Sequence, residues 1–579
     1  MRRVLPLAAT VALLVLLVVG AGGVAAADAP VAETAADCET EADNELVGCW
    51  NGVHHAEDLE FDQEDGLTEA QLEELTHRGM ARVEYVRERP FETDVPVETV
   101  TREEFRANGT GGENGGNGTA SETEFDRWND QVWEALFVVG ADESSAEAID
   151  TVFGGSVSGF YSPGDDRIVL VIPESEEVQV SESTLVHELT HAMQDQYHDL
   201  ADSQYVGATQ DSDLAVDGIV EGEAVYIEER YTDRCETDWS CLDEPDSSAG
   251  GGSPNIGILQ TILQPYSDGP FYVEKLIDDE GWSAVNETMN DPPNTTSEVI
   301  HREPDYETRE IDFEDTAEGG WETYPGQGVN GAETAGEASM FVMFWYQSAG
   351  VPERFDTGYE YAVLEPDRTP GENYNIHFRT DDRLQTRGAY NYDHRATAGW
   401  AGDELYPYRN DAGGTERDGY VWVTEWRTPT DARQFQATYH TMLEAHGAEL
   451  LDDGVRDIET GDFRGAYGVE RDGTTVTIVH GPEPADVLDL RPGIDLDPPE
   501  SVDDGGDGII GDDGNGGNDG FEVDDGTDDG SGTGSVDGDG PNAPGGDEST
   551  NGEVPGFGVV VALVALLSTA ALLGGRPRR

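Results

Sequence analysis

The sequence predicts an α+β protein: a mainly helical central region carrying a small sheet, then a small C-terminal α/β unit, a disordered acidic stalk and a terminal hydrophobic helix. Three observations carry that expectation. Several segments repeat apolar residues at helical spacing. Two strand-like runs flank the turn residues Pro163-Gly164-Asp165-Asp166. A strand–helix–strand–strand succession occupies residues 420–480.

Taken in order, the chain opens with MRRVLPLAATVALLVLLVVGAGGVAAADAP. Arg2 and Arg3 precede an apolar run, Val4 to Val19, and Ala25-Ala26-Ala27 supplies small residues for cleavage. Residues 1–27 therefore read as a secretory signal peptide. Residues 28–106 form an N-terminal helical module. Its helix, LTEAQLEELTHRGMARVEYVRE, spaces Leu67, Leu72, Leu75, Met80 and Val83 along one side and starts at Thr68, ahead of acidic residues. A flexible Gly/Asn linker follows at residues 107–122.

The central domain, residues 123–350, starts with the helix FDRWNDQVWEALFVVG. After a second short helix comes the hairpin VSGFYSPGDDRIVLVIP, then a helix near Ser183 to Tyr197, then the helix DLAVDGIVEGEAVYIEERY. Further on, TAGEASMFVMFWYQSAG reads as a buried helix bearing Glu337. In the C-terminal region, residues 351–494, the runs YVWVTEW, TDARQFQATYHTMLEAHG, GAYGVER and TTVTIVH suggest a sheet packed on one helix. Residues 495–553 are Gly, Asp, Ser and Asn with hardly an apolar side chain, so they cannot bury enough surface to offset chain entropy. They form the expected stalk.

Charge narrows the partners. There are 122 acidic residues against 32 basic ones, a formal net charge of −90, and Lys275 is the only lysine. Such a surface repels nucleic acid and anionic lipid, which excludes nucleic-acid partners. Abundant Asp and Glu with almost no Lys resembles the secreted proteins of salt-loving archaea, where concentrated salt screens self-repulsion. The cysteines fall into two close pairs, Cys38 with Cys49 and Cys235 with Cys241, which an oxidising compartment turns into short-loop disulfides. Asn108, Asn117, Asn286 and Asn294 begin Asn-X-Ser/Thr glycosylation sites.

Residues 554–579 include an apolar run from Phe557 to Leu573, followed by Arg576, Arg578 and Arg579. The run is long enough to cross a bilayer with its arginines inside, as a plain membrane anchor would. Pro555-Gly556-Phe557 ahead of such a helix and Arg cluster resembles the PGF-CTERM sorting signal of archaeal surface proteins. That resemblance implies processing by an archaeosortase, a lipid anchor, and a body held outside the membrane in the surface-layer region.

The segment TLVHELTHAMQDQYHDL carries the chemistry. His187 and His191 lie four residues apart, so on a helix both imidazoles face one ion. Glu188 points about 100° round the helix. It is placed to act on a water that the ion activates, as general base and then general acid. A catalytic zinc also needs a third protein ligand and an open position. The sequence IVEGEA supplies Glu221 and Glu223 on a second helix.

HELTH followed by a helix with Glu-Gly-X-Ala resembles the gluzincin group of zinc metallopeptidases. The resemblance covers residues 157–231 and implies a zincin-like catalytic domain, zinc as cofactor, and a peptide or protein as substrate. It maps the third ligand onto Glu221, with Ala224 three residues on. The apolar periodicity of that helix instead centres nearer Glu223, which serves as supporting partner or substitute. The family pattern places an Asp four residues after the Glu ligand to hold the first His, and here that position is Val225. Arg167 to Ile172 is expected as the edge strand that aligns the substrate. Tyr197, His198, His301, His377 and His394 are candidates to steady the transition state. The leading expectation is an exported, surface-anchored zinc metallopeptidase. The competing one is a non-catalytic surface binding or cell-envelope protein that retains a zinc site, and a zinc hydrolase of a non-peptide amide is a third.

Overall fold

The computed structural model describes residues 46–107, 123–172, 178–245, 254–348 except 305, and 390–496 except 413 and 415, together with Cys38, Val363 and Gly388. The signal peptide, most of the linker, all but the first two residues of the stalk, the C-terminal helix, and Asn108, Asn117 and His377 lie outside them. The fold is mixed, with helix well ahead of strand, in keeping with the α+β class. Among the described residues no helix is long and apolar enough to cross a membrane.

A short hairpin, β1 (Cys49–Trp50) and β2 (Val53–His54), precedes α1 (Glu69–Arg87). Thr68 caps α1 through a reciprocal bond pair with Gln71, satisfying two amide donors that a helix start leaves open. Next come β3 (Val97–Thr101) and α2 (Arg102–Ala107), then α3 (Glu124–Ala135) and α4 (Ser145–Ser156). The hairpin expected around Pro163 is β4 (Gly159–Ser162) and β5 (Arg167–Ile172). It leads into α5 (Glu182–His198) and α6 (Gln210–Cys235). Both expected disulfides are present, Cys38–Cys49 and Cys235–Cys241.

The small sheet has the order β3-β5-β4, with β3 parallel and β4 antiparallel to β5. The expectation that Arg167 to Ile172 is an edge strand is therefore corrected: β5 is central. Its composition explains why. After Arg167, IVLVI is an unbroken apolar run with all five residues buried, as suits a strand covered on both sides. The alternating VETVT of β3 stays half exposed at one edge, and β4 forms the other.

Because β3 pairs with β5, residues expected to form a separate N-terminal module share a sheet with the central region. The buried guanidiniums of Arg78 and Arg82 also reach across to Glu182, the first residue of α5, at 2.5 Å and 3.2 Å. One apolar core joins Leu75, Met80 and Val83 of α1 to Leu185 and Leu189 of α5 and Ile219 and Ile227 of α6.

Beyond α6 run α7 (Ile256–Ile262), α8 (Gln264–Glu280), α9 (Trp282–Asn290) and α10 (Thr296–His301), then β6 (Glu322–Thr323) and the buried α11 (Gly336–Ser348). The C-terminal unit adds β7 (Trp400–Arg409), β8 (Asp418–Trp426), α12 (Pro429–Ala445), β9 (Glu449–Leu450), β10 (Arg456–Ile458), β11 (Gly465–Asp472), β12 (Thr475–Gly481) and α13 (Pro484–Leu490). Its seven-stranded sheet runs β6-β7-β8-β12-β11-β10-β9, with every pairing antiparallel. β6 comes from before position 350, and Trp128 and Val132 of α3 share a core with Trp422 and Phe435. Packing between the described residues thus crosses the expected boundary at 350/351.

Candidate metal centre

Ser181 caps α5 by accepting from the Thr184 amide, and Asp199 closes it in the left-handed region at φ 53°. Between these ends α5 is buried on nearly all sides, with His187, Glu188 and His191 at zero exposure. Imidazoles and a carboxylate in such a place need partners, because burial without hydrogen bonds costs several kcal/mol. α6 supplies them. It too is buried round most of its circumference, which is why its apolar pattern could not single out Glu221 or Glu223.

The structure brings His187, His191 and Glu221 together and leaves Glu223 out of the cluster. The Nε2 atoms of His187 and His191 lie 3.1 Å apart, and the Glu221 Oε2 lies 3.1 Å from one and 3.2 Å from the other. A tetrahedral zinc with bonds of about 2.0–2.1 Å separates its ligand atoms by roughly 3.3 Å, so the three donors fit that ion. The outer nitrogens are engaged: His187 Nδ1 faces Glu228 Oε2 at 3.3 Å, and His191 Nδ1 faces Gln194 Oε1 at 2.8 Å. Both partners are acceptors, so in neutral rings both Nδ1 atoms carry the hydrogen and both Nε2 atoms turn lone pairs towards the Glu221 carboxylate. Three lone pairs converging in a dry interior require a positive charge among them.

Titration behaviour without metal reflects the same need. Burial alone would lower His187, but hydrogen bonds to Glu221 and Glu228 hold it up at about 10. Burial would raise Glu221, yet the adjacent His191 and His187 bring it down to about 2. The pair acts as a unit that shares one proton between His187 and Glu221. Burial also pushes Glu188 up to about 7. Both its carboxylate oxygens are buried without a hydrogen-bond partner. The Tyr161 amide of β4 slightly favours the ionised form without making a full bond. An orphaned buried carboxylate beside three converging ligand atoms is unusual for a purely structural helix.

Three supporting groups, Glu228, Gln194 and Tyr266, were not legible as such in the sequence, and the expected supporting partner Glu223 joins them. Glu228 holds His187 from seven residues after Glu221, two turns on along nearly the same face; the vacancy at Val225 is filled one turn later. Gln194 holds His191 and donates to Val220 O and Glu223 Oε2, both at 2.9 Å. Glu223 in turn pairs with Arg87. Tyr266 of α8 stacks parallel to His187 at 6.2 Å, and its hydroxyl bonds to Glu221. Gly222 explains how Tyr266 gets there. A Cβ at Gly222 would lie 2.6 Å from the backbone of Gly269, so only glycine lets α6 and α8 cross this closely.

The other candidates are engaged elsewhere. Tyr197 donates to Pro90 O, His198 faces Asn290, the Ala396 amide donates to His394, and His301 pairs with Glu337, which also accepts from Ser297. The glycosylation candidate Asn286 accepts from Arg87 and Arg89.

A family model described as a domain of unknown function (DUF8575) matches residues 322–491, and the PGF-CTERM motif matches residues 554–574. The second match carries a class assignment: this is an exported protein, processed by an archaeosortase and anchored at the archaeal cell surface through its C-terminal segment. The first covers the C-terminal sheet and α11, while the metal-centre residues fall outside both. No curated protein and no solved structure matches the chain.

Proposed function

We propose that this surface-anchored protein is a zinc-dependent metallopeptidase, with His187, His191 and Glu221 as metal ligands and Glu188 as general base and acid. The observation that carries the reading is the orphaned Glu188 carboxylate beside three ligand atoms 3.1–3.2 Å apart.

When bound, zinc supplies Lewis acidity that polarises a carbonyl and lowers the pKa of water towards neutrality. The rest falls to the chain. Glu228 and Gln194 fix the two imidazoles in the tautomer that presents Nε2. Tyr266 holds the Glu221 carboxylate from the side of α8, and burial raises its phenol far enough that it stays a donor. Glu188 takes the proton of the attacking water and returns it to the leaving amine. A carboxyl raised to about 7 suits both halves of that exchange near neutral pH. β4, at an edge of the sheet beside α5, is the strand along which an extended peptide would align.

The test uses the exported chain in high salt, with bound zinc measured by elemental analysis and cleavage measured on casein and on peptide libraries. Glu188→Gln should keep its zinc and lose roughly 10²–10⁴-fold in turnover. Full activity in that variant would remove the mechanism, and stoichiometric zinc in His187→Ala would remove the site. A zinc-loaded protein that cleaves no peptide, but cleaves an envelope amide conjugate, would reassign the substrate; one that cleaves neither would be a binding protein.

A further inference from the structure

We propose that Arg87, carried by the N-terminal helix α1, is a positioning residue for His191, acting through Glu223 and Gln194. The segment preceding the Gly/Asn linker is then part of the metal centre rather than a detachable pro-segment. The proposal rests on the zinc reading of the site.

Each link is directional. The Gln194 amide nitrogen faces two pure acceptors, Val220 O and Glu223 Oε2, so its oxygen must face the ring of His191. A Gln oxygen there accepts from Nδ1–H and leaves Nε2 free to ligate. Reversing the amide would present hydrogens to Nδ1, move the ring proton to Nε2 and block the ligand atom. What holds the amide is therefore what holds the tautomer.

Val220 O supplies half of that hold, and Glu223 supplies the other half. The Glu223 carboxylate is 2% exposed, and its second oxygen is taken by the Nε of Arg87. Arg87 is itself locked, with its guanidinium 4.1 Å from the Trp282 ring and Nη2 donating to Asn286 at 2.6 Å. A buried carboxylate deprived of its paired guanidinium does not stay put as an acceptor. Without Arg87, Gln194 loses a fixed partner and His191 loses its orientation.

The same helix also clamps the other end of α5, where Arg78 and Arg82 close on Glu182. Those arginines hold the first residue of α5 and bond to Glu182, Tyr231, His55 O and Ser240 O rather than to Glu228 or Gln194, so they make the natural control: buried, on the same helix, outside the relay.

The experiment measures zinc affinity by chelator competition, and site geometry by the visible spectrum of the cobalt-substituted protein. Wild type is compared with Gln194→Met, Arg87→Met, Arg87→Lys and Arg78→Met. Gln194→Met should weaken zinc by roughly 10–100-fold and change the cobalt spectrum, as losses of a ligand-orienting partner do. Arg87→Met should weaken it by about tenfold, and Arg87→Lys, which keeps a cation against Glu223, should recover most of that. Arg78→Met should lower unfolding stability and leave zinc affinity of the folded protein unchanged. Wild-type affinity in Gln194→Met or Arg87→Met overturns the relay, as does an equal loss in Arg78→Met, which would make the effect one of general stability. If Arg87→Met fails to fold, Gln194→Met and Arg87→Lys still decide it. Wild-type protein that takes up no zinc would instead sink the zinc reading, and the relay with it.

Discussion

Two regions of this molecule bury carboxylates by opposite means. Beside α5, Glu182 meets Arg78 and Arg82, and Glu223 meets Arg87. Where the starts of α6 and α11 meet β7, the donors are neutral. Asp211 accepts from the amide and hydroxyl of Thr296, and Glu333 accepts from the amides of Gln210 and Thr334. Asp403 accepts from the amides of Ala335 and Gly336 and from the indoles of Trp400 and Trp422. In this second region burial outweighs the hydrogen bonds and pushes Asp211 and Glu333 to about 8, with Asp403 raised as well. Glu84 separates partner from location: it sits on α1 among the arginines, yet it is held by the amides of Gly48 and Phe91, and burial raises it to about 8 too. A chain with 32 basic residues for 122 acidic ones places guanidiniums beside the candidate metal centre and lets a proton serve elsewhere.

The largest expected effect of that difference is on stability against pH. A carboxyl whose folded pKa is raised binds its proton more tightly in the native state than in the unfolded one. Its stabilising contribution is complete below about pH 4.5 and is lost as pH rises towards about 8. One pKa unit corresponds to about 1.4 kcal/mol, so the combined decline should be on the order of several kcal/mol. Denaturant unfolding at fixed high salt from pH 5 to 8.5 should show it levelling off above pH 8. Asp211→Asn and Glu333→Gln should each flatten the slope; unchanged slopes in both would break the comparison.

Removing a partner sharpens it from the other side. Arg82 is fully buried and divides its guanidinium among Glu182, Tyr231, His55 O and Ser240 O. Arg82→Met leaves Glu182 with less counter-charge and should cost about 3–5 kcal/mol. Asp403→Asn keeps the shape and one acceptor oxygen among neutral donors, so its cost should be about 1–3 kcal/mol. Unfolding free energies of the two variants in one buffer give the ranking, and the reverse order would show that the charge of the partner is not what matters.

The same distinction governs how much was legible beforehand. Periodicity and caps revealed α1, α5 and α6, with Thr68 as the start of α1. Turn chemistry revealed the β4–β5 hairpin, and strand-like runs revealed β8, β11 and β12 of the C-terminal sheet. His187, Glu188 and His191 were legible because their spacing is the geometry of a single helix turn. What stayed hidden depends on contacts between distant segments. β3 joins β5 from 71 residues earlier in register, Val97 opposite Ile168 to Thr101 opposite Ile172. β7 contains Gly402 and Pro407, which mask a strand pattern. Glu228, Gln194 and Tyr266 become partners only once α5, α6 and α8 cross, and the crossing depends on Gly222 against Gly269. Gly222→Ala should therefore cost about 1–3 kcal/mol through overpacking and weaken zinc binding more than its stability loss alone explains, measured on the folded protein by chelator competition.

The smallest effect tests whether hydrogen bonding as such, rather than charge, distinguishes the two regions. Thr68 caps α1, the arginine-bearing helix, and Thr209 caps α6 at the end where Asp211 and Glu333 lie; each hydroxyl accepts from the amide three residues on, and each threonine amide donates to that residue's side chain. Neither threonine is ionisable. Thr68→Ala and Thr209→Ala should each cost about 1 kcal/mol, and by the same amount at pH 6 and pH 8. Equal, pH-independent losses in chemical denaturation would leave the identity of the carboxylates' partners as the variable that separates the regions. A loss at Thr209 that grows with pH would mean that the α6 start is strained by its neighbouring carboxylates as they ionise, and that the second region's proton is also supporting a helix end.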